Sequence, residues 1–309
     1  MISPGPLVSV LIPCYNVSPY VEKAIYSIIN QTYENLEILI IDDASADDTL
    51  LKIKSIKDHR VKILEFKENT KKVGAVNSAL KIVKGNFICF QDADDWSEPT
   101  RIEQQIEQFD KQADLGICFT GYRYVGDKKG LPGRIALINE ELREEFLQFG
   151  HAKNVDFYPT NCPTMMISKE ALQKTGGYHN YFAGRVAEDI HWIYCILKEF
   201  KGITIDRVLY NYSIREGSFT QLQFSGTNAK YAYSWQLLTR IIYKDIHENI
   251  DVLSDKNVHI LKEIELEACE EALVENIKLV NSTKNIYENS WSFKLGKLLL
   301  TPFRLFKND

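Results

Sequence analysis

The sequence predicts an α/β fold built on a mostly parallel central sheet flanked by helices, and three observations support this prediction. Short apolar runs rich in β-branched residues recur in the first third of the chain, at 7–12, 36–41, 61–66 and 87–90. Segments with apolar residues at helical spacing lie between these runs. Each run ends at proline or polar residues, which favours strands joined by crossover helices and covered on both faces.

Caps and spacing predict the elements that connect these strands. Residues 16–18 offer N-caps for a first helix, in which apolar side chains recur every three or four positions between residues 21 and 29. The same signals predict helices from about 47 to 56, 74 to 83 and 100 to 110, a strand at 115–120, and a helix from 188 to 200.

The middle and the end of the chain are less regular. Residues 122–137 hold three glycines and a proline and are expected to form an exposed hairpin or loop. Residues 161–168 are expected to form a strand that returns to the sheet, and 176–177 a Gly-Gly turn. Two more helices are predicted, one at 228–246 and an acidic amphipathic one at 258–280.

Composition excludes several classes of protein. The chain has 309 residues, of which 45% are hydrophobic and 26% charged, and its net charge is −5. These values are ordinary for a soluble globular protein and argue against nonspecific binding of nucleic acid. Six cysteines include no C-x-x-C pair, which argues against structural zinc and favours a reducing compartment. We find neither a signal-peptide pattern nor a stretch near the ~20 apolar residues of a spanning helix, and expect a cytoplasmic protein.

Polar clusters follow three of the predicted strands. They lie at 14–16 (Cys-Tyr-Asn), 42–45 (Asp-Asp-Ala-Ser) and 91–95 (Gln-Asp-Ala-Asp-Asp). In largely parallel sheets, ligands bind beyond the carboxyl ends of the strands. We therefore expect these clusters, although far apart in sequence, to converge on one site.

Asp92 and Asp94 form the candidate metal site. Oxygen ligands suit Mg²⁺ or Mn²⁺, and crowded carboxylates resist carrying charge unless a cation lies between them. A solvated acidic turn before the next helix explains the two residues equally well. An EF-hand is excluded because Trp96 and Ser97 stand where an oxygen ligand and a glycine are needed, and no Gly-rich phosphate loop is present.

Other strand-end residues suit a nucleotide. Asp43 can accept hydrogen bonds from a ribose hydroxyl or a base N–H, or it can cap the following helix. Tyr15 can lie against a base, or it can be a half-buried core aromatic. Lys71 and Lys72 precede Gly74 at a helix start, which suits phosphate, although two solvated lysines explain them as simply.

A second pair of acidic residues opens the helix at 188. Asp189 can act as a general base, because removing a proton from a sugar hydroxyl needs a carboxylate within hydrogen-bond reach. Acidic residues in a first helical turn are also favoured by the helix dipole alone, and this simpler explanation has the greater weight at this point. His191 is a weaker candidate, since a surface or capping histidine accounts for it.

Taken together, the ordered motifs resemble those of the family 2 glycosyltransferases, which have the GT-A fold. The likeness covers roughly residues 7–215, and its specificity comes from the order of the motifs, because each is weak alone. The segments that carry it are 8–16, 27–33, 37–45, 92–95, 176–178 and 188–189.

The resemblance implies an inverting transfer from a nucleoside diphosphate sugar, with Mn²⁺ or Mg²⁺ as cofactor. Pro13, Tyr15 and Asp43 would hold the base and ribose. The Lys-x-Gly-x-x-Asn pattern that lines the donor site in the family matches Lys72, Gly74 and Asn77.

The same resemblance assigns the chemistry to the acidic residues. Asp94 would ligate the metal, Asp92 would contact the ribose or the metal shell, and Asp95 would support the turn. Asp189 is similar to the family's general base, and Glu188 would stand beside it.

Two departures from the family pattern matter. Many members carry Ala-Arg-Asn-x-Gly after the third strand, whereas residues 75–79 are Ala-Val-Asn-Ser-Ala, so the residue that touches the diphosphate stays open. Processive members carry Gln-x-x-Arg-Trp and several spanning helices. Neither is present, which favours a single-addition enzyme over a polysaccharide synthase.

The resemblance also divides the chain. Residues 1–115 would be the nucleotide-sugar-binding half, 116–225 the acceptor-binding half and 226–309 a helical extension. We expect a hexosyl- or N-acetylhexosaminyltransferase that uses a UDP-sugar to assemble cell-surface polysaccharide or glycoconjugate. The alternatives are a sugar nucleotidyltransferase, which would need a Gly-rich basic first loop, and a non-catalytic nucleotide-sugar-binding module, which the presence of Asp94 and Asp189 disfavours.

The C-terminal tail has two interpretations. Residues 291–307 interleave lysine and arginine with large apolar side chains, which suits a membrane interface. A helix docked on the body explains the pattern as well. An interfacial tail would fit a lipid-linked saccharide acceptor at the inner face of the plasma membrane. The acidic helix at 258–280 can pack on the body or on a second copy, so the oligomeric state stays open.

Overall fold

The computed structural model describes residues 5–125, 162–214 and 229–289. Its strands are β1 (Val8–Cys14), β2 (Leu36–Asp42), β3 (Val61–Glu65), β4 (Phe87–Phe90), β5 (Trp96–Ser97), β6 (Leu115–Val125), β7 (Met166–Ser168) and β8 (Lys201–Ser213). Its helices are α1 (Val21–Ile29), α2 (Thr49–Ser55), α3 (Lys71–Leu80), α4 (Arg101–Lys111), α5 (Lys169–Thr175), α6 (Glu188–Glu199), α7 (Ala229–Glu248) and α8 (Val258–Asn289).

These strands form one mixed sheet, in the order β3-β2-β1-β4-β7-β6-β8-β5. The first four strands pair in parallel, with β1 between β2 and β4, and β6 pairs in parallel with β8. β7 runs antiparallel to both β4 and β6, and β5 runs antiparallel to β8. The predicted α/β class is confirmed, with the refinement that short antiparallel strands interrupt the parallel order.

Apolar side chains cover the sheet on both faces because successive strand residues point to opposite sides. Val10 and Ile12 of β1 belong to a cluster with α1, α2 and α4, whereas Leu11 belongs to the cluster on the other face. That second cluster gathers α3, α6, α7 and α8, and Trp192 of α6 packs edge-on against Phe90 at the end of β4. Helix α6 is thus fixed beside the carboxyl end of β4.

Several elements differ from the sequence prediction. The short strand β5 was not predicted, and residues 122–125, expected in a loop, form the end of β6. β8, which was not predicted, has 13 residues and contributes Leu209 and Tyr210 to the interior. The strand expected at 161–168 shrinks to Met166–Ser168, preceded by a 3₁₀ turn at Cys162–Thr164. Pro163 fixes its own φ and lacks an N–H, so it cannot donate a ladder hydrogen bond at that position.

The C-terminal helices pack on the body. Ile264 and Ala268 of α8 are buried in the same cluster as Leu237 and Leu238 of α7. Among the described helices, none is both long and apolar enough to cross a membrane. Most of the loop predicted at 122–137, and all of the tail from residue 291, lie outside the described residues.

Candidate functional site

Strained backbone marks the loops at the carboxyl ends of the strands. Asn16 (φ 52°) follows β1, Ala44 (φ 59°) follows β2, and Lys71 (φ 63°) opens α3. Ala187 (φ 77°) stands immediately before α6. Positive φ is costly for residues with a side chain, and such residues cluster at functional sites. Four of the five described non-glycine residues with positive φ thus adjoin the loops that carry the candidate residues, and the fifth, Asn249 (φ 53°), follows α7.

The loops after β1, β2 and β4 converge, as the sequence predicts. The Asn16 side chain accepts a hydrogen bond from the Ala46 amide at 2.8 Å, which joins the first two loops. Burial raises the pKa of the Cys14 thiol, and so do the carboxylates of Asp42, Asp94 and Asp92. Side chains from the ends of three strands thus share one electrostatic environment.

Pro13 and Tyr15 lie on either side of Cys14. Pro13 is the sixth residue of β1, is paired in register with Ile41 of β2, and is partly buried. Tyr15 lies just beyond the strand and is 50% exposed. Its ring is therefore accessible at the sheet edge and is not part of the core.

Asp43 anchors the start of α3. Its Oδ1 accepts hydrogen bonds from the Thr70 amide at 2.7 Å and the Thr70 hydroxyl at 2.8 Å. Gly74 lies one turn further along, where an added Cβ would come within 2.8 Å of the Thr70 Cβ. The glycine thus permits the close packing of Thr70, and Asp43 positions the loop that carries Lys71 and Lys72.

Asn77 connects α3 to the Gly-Gly turn. Its side-chain amide donates to the Tyr178 carbonyl at 2.7 Å, and its Oδ1 accepts from the Tyr178 amide at 2.9 Å. A Cβ on Gly177 would collide with this amide group, so the turn needs glycine at that position. Both ends of the Asn77 amide are occupied by backbone, which gives this side chain a positioning role.

The acidic turn after β4 holds three carboxylates close together. Side-chain oxygens of Asp92, Asp94 and Asp95 lie within 4.8 Å of one another. Asp95 is buried, and its carboxylate accepts hydrogen bonds from the Tyr210 hydroxyl at 2.9 Å and the Ser213 amide at 2.7 Å. An oxygen-only donor set fits a hard divalent cation. Asp92 and Asp94 are partly buried whereas Asp95 is buried, so Asp92 and Asp94 are the more accessible carboxylates for a metal.

Lys72 lies between the acidic turn and the start of α6. Its Nζ is 3.5 Å from a carboxylate oxygen of Glu188, and its side chain is 38% exposed. Burial lowers the pKa of Lys72, but the surrounding carboxylates, Asp92 first among them, outweigh this and shift it well above the ordinary value. The Lys72 side chain therefore stays protonated, and its charge interacts with both the acidic turn and the acidic start of α6.

Charge crowding changes the acidity of the site. Burial and the carboxylates of Asp94 and Asp189 together raise the pKa of Asp92 to about 6, against the opposing effect of Lys72. Burial also raises the pKa of Glu188 to about 7, and so does Asp189 next to it. Carboxylates that resist ionisation in this way gain from a cation placed among them.

Asp189 stands in the first turn of α6, partly buried, with one carboxylate oxygen accepting a hydrogen bond from the Ile190 amide at 2.8 Å. Its charge acts on both Asp92 and Lys72, so it belongs to the same site. A carboxylate held there can accept a proton from a hydroxyl that enters the site.

Removing the Glu188 charge should stabilise the protein at high pH. The folded-state pKa of about 7 exceeds the ordinary 4.5, so the unfolded chain releases this proton first. Stability therefore falls as pH rises from about 4.5 through 7, by about 3 kcal/mol in total. Glu188→Gln has no proton to lose, and without metal or nucleotide its melting temperature should exceed that of the wild type at pH 8 by more than at pH 5.

The exposed Glu68 offers a matched control for this prediction. Glu68→Gln should melt in parallel with the wild type at both pH values. Parallel melting of Glu188→Gln and the wild type would show that the Glu188 carboxyl ionises normally.

His191 does not lie with the other candidates. Its ring is 5.0 Å from that of Phe182 and 6.0 Å from that of His179, measured between centroids. It lines a separate cavity of about 300 Å³ between α6 and α7. Burial, with His179 adding to its effect, lowers the pKa of His191 to about 4, so the ring is neutral near pH 7. His191 is therefore a neutral side chain whose described neighbours do not include the acidic turn.

Two buried residues that the sequence analysis did not select, Arg101 and Tyr210, form hydrogen bonds with the end of β4 and with the acidic turn. Arg101 is fully buried, and its guanidinium donates to the carbonyls of Phe90 (2.6 Å) and Pro163 (2.9 Å). Tyr210 is also fully buried and bonds to the acidic turn. No local pattern marks either residue. An arginine near a helix start and a tyrosine in a strand become informative only when the fold brings them under the turn.

Comparisons with known proteins point to one family. The family model described as "Glycosyl transferase family 2" matches residues 9–176. EpsE of Bacillus subtilis (strain 168), whose name places it among the glycosyltransferases, is 32% identical over 219 residues, which are 69% of this chain and 74% of that protein.

A shorter match and a solved structure add detail. The Escherichia coli UDP-Glc:alpha-D-GlcNAc-diphosphoundecaprenol beta-1,3-glucosyltransferase WfaP is 43% identical over 100 residues, 32% of this chain and 40% of that protein. The mannosyltransferase PcManGT of Pyrobaculum calidifontis, solved with GDP-Man and Mn²⁺, superposes with a TM-score of 0.57 at 18% identity, covering 95% of this chain and 83% of that one. At this identity the structural match shows the fold alone.

Proposed function

Because the chain belongs to glycosyltransferase family 2, we propose that it moves a sugar from a nucleoside diphosphate sugar to an acceptor hydroxyl, with inversion at the anomeric carbon. One observation carries the proposal. The Lys72 ammonium lies 3.5 Å from Glu188 at the start of α6, and the charge of Asp92 in the turn after β4 acts on it, which supports a donor site and a candidate base in one place.

We propose that residues 1–115 bind the donor. The exposed Tyr15 ring and Pro13 would hold the base, and Asp43 the ribose, while Gly74 and Asn77 keep the surrounding loops in place. Lys72 would meet the diphosphate, and its position beside the acidic turn supports this assignment. Val76, which stands where many family members carry arginine, is buried in the core and carries no charge.

Asp92 and Asp94 would hold a divalent cation, and Asp95 would hold their turn in place. When bound, Mn²⁺ or Mg²⁺ would offset the charge that the leaving diphosphate gains. The Mn²⁺ complex of PcManGT supports the metal class and does not choose the ion.

We propose Asp189 as the general base. Its carboxylate would accept the proton of the acceptor hydroxyl while the hydroxyl oxygen attacks the anomeric carbon from the face opposite the diphosphate. The bond from that carbon to the diphosphate breaks as the new glycosidic bond forms, and the nucleoside diphosphate leaves with the bonding electron pair. A single displacement of this kind inverts the anomeric centre.

For the acceptor we propose a saccharide or lipid-linked saccharide, bound by residues 116–225. The name of WfaP specifies UDP-Glc as donor and a GlcNAc carried on diphosphoundecaprenol as acceptor, which supports a UDP-hexose or UDP-N-acetylhexosamine and a lipid-linked acceptor. Such an acceptor would place the enzyme at the inner face of the plasma membrane, in polysaccharide or glycoconjugate assembly.

A donor-hydrolysis screen tests the function. Purified protein with Mn²⁺ and each of a set of UDP-, GDP- and dTDP-sugars should release nucleoside diphosphate from one nucleotide class. Asp94→Asn should lose this release. Failure of all donors to bind or hydrolyse in the presence of metal would overturn the donor-site assignment.

A further inference from the structure

The hydroxyl of Tyr210 holds both ends of the acidic turn. It accepts a hydrogen bond from the Asp92 amide at 3.1 Å and donates one to Asp95 Oδ2 at 2.9 Å. It also accepts a hydrogen bond from the Gln91 side chain at 3.2 Å. A hydroxyl has one donor and two acceptor sites, so all three are used. Asp94 lies between the two residues that this one oxygen fixes.

The partners of Tyr210 are themselves held in place. Gln91 also donates to the Asp92 carbonyl at 3.0 Å, and its Oε1 accepts a hydrogen bond from the Ser97 hydroxyl at 2.6 Å. Asp95 takes its second hydrogen bond from the Ser213 amide of β8. The turn is therefore attached to β8 and β5 by a network of buried and partly buried hydrogen bonds, which strengthen one another.

The Tyr210 ring rests on Arg101. The guanidinium lies 5.3 Å from the ring centroid and is fixed by the carbonyls of Phe90 and Pro163. The same positive charge lowers the pKa of Asp92, against the effect of burial. Arg101 of α4, which is bonded to β4 and to the 162–164 turn, thus helps to fix the position of the Tyr210 ring.

We propose that Tyr210 is a positioning residue for the metal, an inference that rests on the proposed function: its hydroxyl fixes the backbone of Asp92 and the carboxylate of Asp95, so that Asp92 and Asp94 present their oxygens in metal-binding geometry. Groups behind metal ligands act this way in metalloproteins, where their removal typically costs about 10- to 100-fold in metal affinity. Tyr210 itself touches neither metal nor sugar in this role.

Tyr210→Phe tests the inference, with Tyr194→Phe as the matched control. Tyr194 is also a buried residue, and its hydroxyl donates to a carboxylate oxygen of Asp245 at 2.6 Å in a partly buried hydrogen bond away from the acidic turn. Both variants thus lose one tyrosine hydroxyl that donates to aspartate. Mn²⁺ affinity is measured on the full chain by electron paramagnetic resonance of free Mn²⁺, with UDP or GDP present, alongside metal-free melting.

Tyr210→Phe should bind Mn²⁺ about 10- to 100-fold more weakly. Tyr194→Phe should bind it like the wild type, even if both variants melt at lower temperature. In transfer assays the Tyr210→Phe KM for Mn²⁺ should rise while kcat at saturating Mn²⁺ is retained. Unchanged Mn²⁺ affinity in Tyr210→Phe, or equal losses in both variants, would overturn the inference while the proposed function stands.

Two further outcomes are also decisive. If Tyr210→Phe does not fold, Ser97→Ala takes its place, because it only releases Gln91 from β5: weaker Mn²⁺ binding than in Tyr194→Phe supports the inference, and equal binding overturns it. If the wild type fails to bind Mn²⁺ both with UDP and with GDP present, the proposed donor site is wrong, and the inference is overturned with it.

Discussion

Asp189→Asn should lower the rate of sugar transfer by about 10²- to 10⁴-fold, the usual contribution of a general base, while donor binding is unchanged. Asparagine has the same size as aspartate and keeps an oxygen that can accept the hydrogen bond from the Ile190 amide. Helix α6 should therefore begin at the same residue. Asparagine cannot take a proton from the acceptor. The measurement is single-turnover transfer together with titration of nucleotide and Mn²⁺.

Glu188 is poorly placed to replace the missing base. It is 8% exposed and lies 3.5 Å from the Lys72 ammonium, which occupies one of its oxygens. Asp206→Asn, at an exposed position in β8, should leave transfer unchanged and serves as the control. Transfer at wild-type rate by Asp189→Asn would place the base elsewhere and remove α6 from the mechanism.

Asp94→Asn should abolish the metal-dependent part of donor binding and reduce transfer by at least about 10³-fold, because the leaving diphosphate would lose its charge compensation. The amide is nearly isosteric with the carboxylate, but it carries no charge and offers one oxygen where the aspartate offers two. Titrations of UDP and GDP with and without Mn²⁺ give the measurement.

Asp48→Asn provides the control for Asp94. Asp48 is exposed at the N-cap of α2, where its side chain makes no capping hydrogen bond. Its substitution should leave Mn²⁺-dependent binding intact. If Asp94→Asn retained that dependence, the metal would bind elsewhere and the acidic turn would be structural only.

The sequence predicts the first half of the fold well because its strands are continuous apolar runs. Residues 36–41 are buried along their whole length as part of β2, and the predicted helices there shift by only a few residues. β8 was missed because charged residues interrupt its first half and its burial alternates poorly. Its pairing with β6 is a long-range contact that no local window contains.

The candidate site shows the same division between local and long-range information. Strand-end position predicts that the loops near Cys14, Asp43 and Asp92 converge, and the structure brings them together. The sequence predicts His191 at the same site as Asp189. Two residues along a helix rotate the side-chain direction by about 200°, so the two side chains point to different sides of α6, and His191 lines a separate cavity. Tyr210 lies more than a hundred residues from the turn that it holds, so only the fold reveals it.

The acidic turn as a metal and donor site is the central claim, and anomalous scattering from crystals grown with Mn²⁺ and UDP or GDP tests it most directly. The account predicts one Mn²⁺ peak within about 2.5 Å of an Asp94 carboxylate oxygen, in contact with the nucleotide diphosphate, with Lys72 on the same phosphates. A nucleotide bound in the cavity beside His191, or a diphosphate held with its Mn²⁺ away from Asp94, would contradict it.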